Sequence, residues 1–368
     1  MSTLGFQPRV TDSERPGSLR ESPRLSVIVP VHNGAGHLAR CLEALGRSQY
    51  GQFEVIVVDD CSTDTTPQIA ERYGAHCIRT PRTLGPGGAR NLGAQHAGGD
   101  VLVFVDADVV IPPEGLSLIA GDFSGDPGLA AVFGSYDDSP PWTTFISQYK
   151  NLMHHYVHQV SNESAATFWA GCGAMRKSVF EEHGGFDAAR YTVPSIEDIA
   201  LGLDIARAGG RIRLDKRLAV KHLKRWTVRN LLRADILCRA VPWSQLILST
   251  RHLPRDLNLT YASRVSSLLV GLLVAACVLL PFSLGGMVRI RPLPLLGVMA
   301  LICLLLLWLN RDVYRFFARK RGCWFAAQAV VAHWAYYLYS GMTFAVFAVM
   351  HFVRLPFSSA GRASVGSS

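Results

Sequence analysis

The chain reads as an α/β protein with a doubly wound sheet, continuing into amphipathic interfacial helices and about three transmembrane helices. Three observations predict this. Through the first half, apolar strands that end in carboxylates or turn residues alternate with stretches of helical spacing. Val101-Leu102-Val103-Phe104-Val105 has no polar residue, as a strand buried on both faces requires, and runs straight into Asp106-Ala107-Asp108. Finally, uncharged runs of membrane-spanning length fill the last part of the chain.

The elements follow in order. Residues 1–24 are polar and interrupted by Pro8, Pro16 and Pro23, which predicts a disordered leader rather than a secretory signal. Leu25 to Val31 is a strand, closed by Pro30 and by the turn residues His32-Asn33-Gly34. Leu38, Cys41, Leu42 and Leu45 then share a helical face. Phe53 to Val58 is a second buried strand ending in Asp59-Asp60, with Ser62-Thr63-Asp64 as the cap of the next helix. Strand, helix, strand, helix with short loops predicts right-handed parallel crossovers.

Asp106 and Asp108 lie two residues apart where a buried strand ends. Two hard oxygen ligands there suit a divalent cation that carries a phosphorylated ligand, at the strand ends where open α/β sheets bind ligands. The alternative is a solvated pair in a turn. Gly85-Pro86-Gly87-Gly88-Ala89-Arg90 resembles a dinucleotide fingerprint only superficially, because Arg90 occupies the third glycine position. It reads as a glycine-rich turn opening a helix. Arg90 is then available to a phosphate or base, or is a surface arginine at a helix start.

Taken together, Ser26 to Pro30 with Asn33, Val57 to Asp64, Ala89 to Gly93 and Asp106-Ala107-Asp108 resemble family 2 glycosyltransferases over roughly residues 25–226. The resemblance implies a GT-A fold, a doubly wound mixed sheet of the nucleotide-diphospho-sugar transferase type. It implies that Pro30, Val31, Asn33, Asp59, Asp60 and Arg90 contact the base and ribose of a UDP- or GDP-sugar. Asp106 and Asp108 would be the DxD pair, holding the diphosphate through Mg²⁺ or Mn²⁺. Cys61 stands where the family usually has glycine, and both are small.

Further on, Phe145, Tyr149, Met153, Tyr156 and Val157 predict a helix that carries His154, His155 and His158. Without an HExxH context these histidines read as a partly exposed face rather than a metal site. The glycines of Gly171-Cys172-Gly173 suit close approach to a ligand or a tight turn in a core. The resemblance implies the first, on the acceptor side. Glu197-Asp198 opens a helix, where carboxylates are ordinary start residues. By resemblance Asp198 is the general base and Glu197 positions the site. His222-Leu223-Lys224-Arg225-Trp226 is similar to the Q/RxxRW signature of membrane-embedded synthases, with His in the first place. Arg225 would neutralise the diphosphate and Trp226 would stack near the acceptor. His222 would contact the diphosphate, join Asp106 and Asp108 on the metal, or cap the sheet.

The formal charge is +9, and the eight cysteines include no CxxC pair, which argues against zinc and disulfide frameworks. From Arg207 to Arg233 there are ten Lys/Arg against one acid, Asp215. The segment after it pairs a basic face with Leu231, Leu232, Ile236 and Trp243, the pattern of an interfacial helix on anionic lipid. Pro242 should kink or split it. Ser266–Leu284, Leu293–Leu309 and Gly322–Met350 read as spans, the last long enough to be tilted, or bent near Ser340-Gly341. Arg311, Arg315, Arg319, Lys320 and Arg321 mark their loop as cytoplasmic.

The expected organisation is therefore a leader (1–24), a cytosolic catalytic domain (25–226), interfacial helices (227–262), a multi-pass region in the inner membrane (263–353) and a flexible tail (354–368). The expected activity is inverting, metal-dependent sugar transfer to a lipid or lipid-linked acceptor. The rival readings are transfer to a polyprenyl phosphate without a general base, and a non-catalytic sugar-binding scaffold. Nucleic-acid binding is disfavoured, since the basic residues adjoin membrane segments.

Overall fold

In the computed structural model, residues 22–250 and 260–358 are described, so most of the predicted leader and the end of the predicted tail lie outside them. The chain divides into two units, Met1–Thr227 and Val228–Ser368.

The first unit begins β1 (Leu25–Val31), α1 (Ala35–Gly46), β2 (Phe53–Asp59), α2 (Thr66–Arg72), β3 (His76–Arg79), α3 (Gly85–His96) and β4 (Val101–Val105). It continues through β5 (Val109–Val110), α4 (Gly115–Gly125), β6 (Leu129–Tyr136), α5 (Phe145–Val160), β7 (Ser164–Ala165) and β8 (Cys172–Arg176). It closes with α6 (Lys177–Glu182), α7 (Glu197–Arg207) and β9 (Arg211–His222). The sheet order is β3-β2-β1-β4-β8-β6-β9-β5, with β7 on β9. β1 pairs in parallel with β2 and β4, while β8 runs antiparallel between β4 and β6, so the sheet is mixed.

Successive strand residues serve opposite faces. Val27, Val29, Val55, Val57, Val101 and Val103 join Leu38, Leu42 and Leu116 in one core layer. Ile28, Ile56, Val58, Leu102 and Phe104 join Phe168, Phe180 and Ile205 in the other. Covering both faces is what makes β1 and β4 continuously apolar. The antiparallel β8 was not anticipated, and it matters most for the site. Its first residue Cys172 pairs with Val105, the last residue of β4, so the segment entering β8 lies beside Asp106.

This placement shows what surrounds Gly171, Cys172 and Gly173. All three are buried. The space a Cβ on Gly171 would need holds the Trp169 ring, and on Gly173 it holds the Phe168 ring and the Trp169 carbonyl. Gly171 and Gly173 make room for aromatic packing.

Several cations of the basic run have acidic partners. Arg211 pairs with Asp126, Arg213 with Asp122 and Asp126, Arg217 with Asp122 and Asp215, and Lys221 with Asp137. Three of these acids, Asp122, Asp126 and Asp137, lie seventy or more residues before the run.

The second unit comprises α8 (Val228–Asp235), a π-helical turn (Ile236–Ala240), α9 (Val241–Thr250), α10 (Tyr261–Leu284), α11 (Pro292–Leu309), α12 (Arg311–Arg321) and α13 (Cys323–Ser358). The π turn immediately precedes Pro242, whose ring and missing N–H disrupt the preceding turn. Three helices, Tyr261–Leu284, Pro292–Leu309 and Cys323–Val353, are long and apolar enough to cross a membrane. They expose Leu268, Leu272, Leu304 and Val331, as lipid-facing helices do. α13 stays helical through Ser340-Gly341, where Gly341 lets α13 lie against Ser267 of α10. It also continues to Ser358, so the start of the predicted tail is helical. Inside the unit, Asn310 Nδ2 donates to Ser266 Oγ (3.0 Å) and Tyr337 Oη donates to Asn310 Oδ1 (2.8 Å).

The glycine assignment predicts that Gly173→Ala overpacks the space beside Phe168 and Trp169. Denaturant unfolding should show a loss of about 1–3 kcal/mol, whereas a ligand-facing glycine would lose ligand affinity at unchanged stability.

Candidate active site

The site forms where β4 ends and the antiparallel strands begin. Asp106 N–H donates to the Gly171 carbonyl (3.1 Å). Next to it, Ala170 N–H donates to Asp198 Oδ2 (2.9 Å), and Asp198 Oδ1 accepts from Ile199 N–H (2.8 Å). The start of α7 is thereby held against the end of β4. Burial, followed by the neighbouring charge of Glu197, pushes the Asp198 carboxyl up to about 6.

Arg90 joins the two ends directly. It projects from α3 into the interior and is only 5% exposed. Its Nη2 donates to Asp106 Oδ1 (2.6 Å) and its Nη1 to Glu197 Oε1 (3.0 Å). Glu197 is equally buried, and its other oxygen accepts from Ser195 N–H (3.0 Å). The Phe186 ring lies 5.7 Å from the guanidinium carbon. Arg90 is therefore a buried bridge between carboxylates, not a surface arginine.

The other side of the site is set by β5 and β9. Val109 pairs with His222, and Leu223 N–H donates to the Asp108 carbonyl (2.8 Å). His222 Nε2 consequently faces Asp108 Oδ2 at 3.4 Å. Burial raises the Asp106 carboxyl, and the charge of Asp108 adds to this against the pull of Arg90. At Asp108 burial acts in the same sense, but the His222 hydrogen bond and charge, with Lys224, bring it below the ordinary range.

Among the described residues, no three His, Cys, Asp or Glu side chains converge closely enough to make a metal site unaided. Asp106 spends one oxygen on Arg90, while Asp108 and His222 face one another. The carboxylates of Asp106 and Asp108 are the hard oxygen donors here, and a cation held by them would draw most of its ligands from a diphosphate, the usual manner of Mg²⁺ at phosphate sites.

The loops expected to meet a nucleotide are largely self-contained. Asn33, at φ 51°, accepts from Thr63 N–H (2.8 Å), and its own N–H donates to Ser62 Oγ (2.8 Å). Pro30 and Val31 are buried in β1. Asp59 is fully buried and accepts from Ser62 N–H (3.0 Å). Asp60 accepts from Thr80 Oγ1 (3.0 Å), Leu84 N–H (2.7 Å) and Gly85 N–H (2.9 Å). Asp59 and Asp60 thus organise the turns into α2 and α3. Gly85, at φ 76°, lies so close to the Thr192 carbonyl that a Cβ would sit 2.5 Å from it.

The last motif is split between surface and interior. Trp226 is buried, its N–H donating to Ser147 Oγ (2.9 Å) and its ring lying 4.5 Å from Lys224 Nζ. Arg225 is exposed, with its guanidinium over the Trp142 ring at 5.3 Å. Sequence reasoning missed Tyr136 and Asn151, which surround His222. Of the α5 histidines read as partly exposed, His154 and His155 are so, His154 packing between Tyr136 and His158, whereas His158 is buried and faces the Gly134 carbonyl (3.0 Å).

The bridge predicts a specific energetic pattern. Arg90→Met strands a buried Glu197 carboxylate and should cost about 3–5 kcal/mol in denaturant unfolding. The double change Arg90→Met with Glu197→Leu should recover most of that loss. An additive double variant would contradict the bridge.

Residues 26–184 match the family described as Glycosyl transferase family 2. The poly(ribitol-phosphate) beta-N-acetylglucosaminyltransferase TarS of Staphylococcus aureus (strain Mu50 / ATCC 700699) is 39% identical over 100 residues, 25% of this chain and 18% of that protein. The pre-mycofactocin glycosyltransferase of Mycobacterium tuberculosis (strain ATCC 25618 / H37Rv) is 29% identical over 227 residues, 59% of this chain and 46% of that one. This chain thus spans less than half the length of either relative. The structure of mannosyltransferase PcManGT from Pyrobaculum calidifontis in complex with GDP-Man and Mn2+ aligns with TM-score 0.46 at 19% identity, covering 93% of this chain and 92% of that one. The first unit carries a family 2 glycosyltransferase domain.

Proposed function

We propose that the protein is an inverting glycosyltransferase. It moves a sugar from a UDP- or GDP-sugar to a lipid or lipid-linked acceptor at the cytoplasmic face of the inner membrane. The observation that carries this reading is the convergence of the Asp106 strand end and the Asp198 helix start, tied by Arg90.

In this reading Asp106, Asp108 and His222 hold Mg²⁺ or Mn²⁺, which when bound neutralises charge developing on the leaving diphosphate. Arg225, exposed at the end of the first unit, adds a cation for the same diphosphate. Asp198 takes the proton of the acceptor hydroxyl as that oxygen attacks the anomeric carbon, and the sugar–phosphate bond breaks on the opposite face. A carboxylate with its affinity for protons raised to about 6 is a stronger base than an ordinary aspartate while remaining ionised at neutral pH. Glu197 and Arg90 position the base relative to Asp106. The lipid acceptor is supported by the three helices able to span a membrane, which would keep the site at the bilayer.

Two measurements on the full chain in detergent test this. Asp198→Asn should lower transfer by about 10²–10⁴-fold, with thermal unfolding as a check on folding. Transfer that survives the change would favour the alternative acceptor, an anionic polyprenyl phosphate that needs no base. Because only ionised Asp198 accepts the proton, kcat/KM should hold a plateau above about pH 6 and fall as pH drops through it. A profile flat through pH 5 would remove Asp198 from the base role. The same titration has a stability consequence. A carboxyl with a raised folded-state pKa favours the fold when protonated, and that contribution fades as pH rises through about 6.

A further inference from the structure

We propose that Asn151 is a positioning residue that selects which ring nitrogen of His222 is offered to a cation. This rests on the reading of Asp106, Asp108 and His222 as the residues that hold the metal.

Asn151 lies on α5 and is 1% exposed. Its Nδ2 donates to the Ser147 carbonyl one helical turn earlier (2.9 Å). That bond fixes the amide, so the atom facing His222 Nδ1 at 2.9 Å is Oδ1. An amide oxygen only accepts, and Nδ1 must therefore carry the proton. The lone pair of the neutral ring is left on Nε2, the nitrogen turned toward Asp108 Oδ2.

At 3.4 Å from the Asp108 carboxylate, Nε2 either carries a second proton, giving the His222 hydrogen bond that lowers Asp108, or gives its lone pair to a divalent cation that takes the proton's place. The ring plane is fixed independently, because Tyr136 stacks on His222 with centroids 4.4 Å apart and planes 8° from parallel. Ser147 supports the same arrangement from its other end, since its Oγ accepts from Trp226 N–H (2.9 Å). One helix thus holds both His222 and Trp226, the first and last residues of the final motif. Partners that orient a ligating histidine govern metal affinity almost as strongly as the ligand itself.

The test is Mn²⁺ binding to the full chain in detergent, followed by electron paramagnetic resonance with and without UDP. Asn151→Leu, which removes the acceptor on Nδ1, should weaken Mn²⁺ binding by about 10–100-fold. Asn151→Asp, which keeps an acceptor there, should bind Mn²⁺ at least as tightly as the unmodified chain. Thermal unfolding of each variant separates metal loss from misfolding. If Asn151→Leu fails to fold, Asn151→Asp decides, and weakened binding by a folded Asn151→Asp overturns the proposal. Unchanged affinity in folded Asn151→Leu overturns it also, provided His222→Ala weakens binding. If His222→Ala leaves Mn²⁺ binding intact, the metal reading of His222 is what has failed.

Discussion

A guanidinium shut away from water persists only where its charge is met, and at Arg90 it is met from two directions. Asp106 arrives at the end of β4 and Glu197 at the start of α7, more than ninety residues apart in sequence. Remove the cation and a buried carboxylate is left beside a like-charged neighbour, in surroundings that already push Asp106 and Asp198 upward. The surroundings of the proposed base thus depend on the same charge that steadies the proposed diphosphate side. The arrangement costs desolvation energy, and a buried pair of this kind is weak evidence for stability as such. Its effect is geometric, in that it fixes the distance between two ends of the site that no single element spans.

The sheet topology does the remaining positioning. Parallel β1, β2 and β4 deliver Asp59, Asp60 and Asp106 to one edge, as doubly wound sheets do. The reversal at β8 is what brings a backbone N–H from Ala170 to Asp198 beside that edge. The short β5 then presents Asp108 to the end of β9, where His222 stands. Each reversal converts a residue distant in sequence into a neighbour through main-chain hydrogen bonds, which tolerate little displacement.

What could be read from the residues alone follows from this geometry. Strands buried on both faces are continuously apolar, and α1, α3 and α7 carry the spacing or start residues of helices, so all of these were legible. The Asp106-Ala107-Asp108 and Glu197-Asp198 pairs were legible as motifs, but their connection was not, because it runs through a side chain that local spacing reads as exposed. Arg90 follows a glycine-rich turn, and nothing in that turn records that Phe186 and Glu197 close over it. The Gly171 and Gly173 environments were equally hidden. A glycine serving a ligand and one serving a neighbouring ring look alike until Phe168 and Trp169 are placed. Asn151 carried no signal at all, being one polar residue on an amphipathic helix.

The basic run shows the same limit for charge. Counted along the chain, residues 207–233 are overwhelmingly cationic, and an anionic surface seems required to balance them. In the fold, Asp122 of α4 and Asp126 just past its end meet Arg211, Arg213 and Arg217, and Asp137 meets Lys221. Part of the cluster is thus matched by acids of the first unit, although Arg211 and Arg217 stay largely exposed. The exposed cations of the second unit differ, since Arg315, Arg319 and Lys320 share α12 with a single acid, Asp312. The case for a membrane therefore passes from the basic strand to the helices. Three long apolar segments that expose leucine and valine need a nonpolar surrounding, whatever the charge of β9.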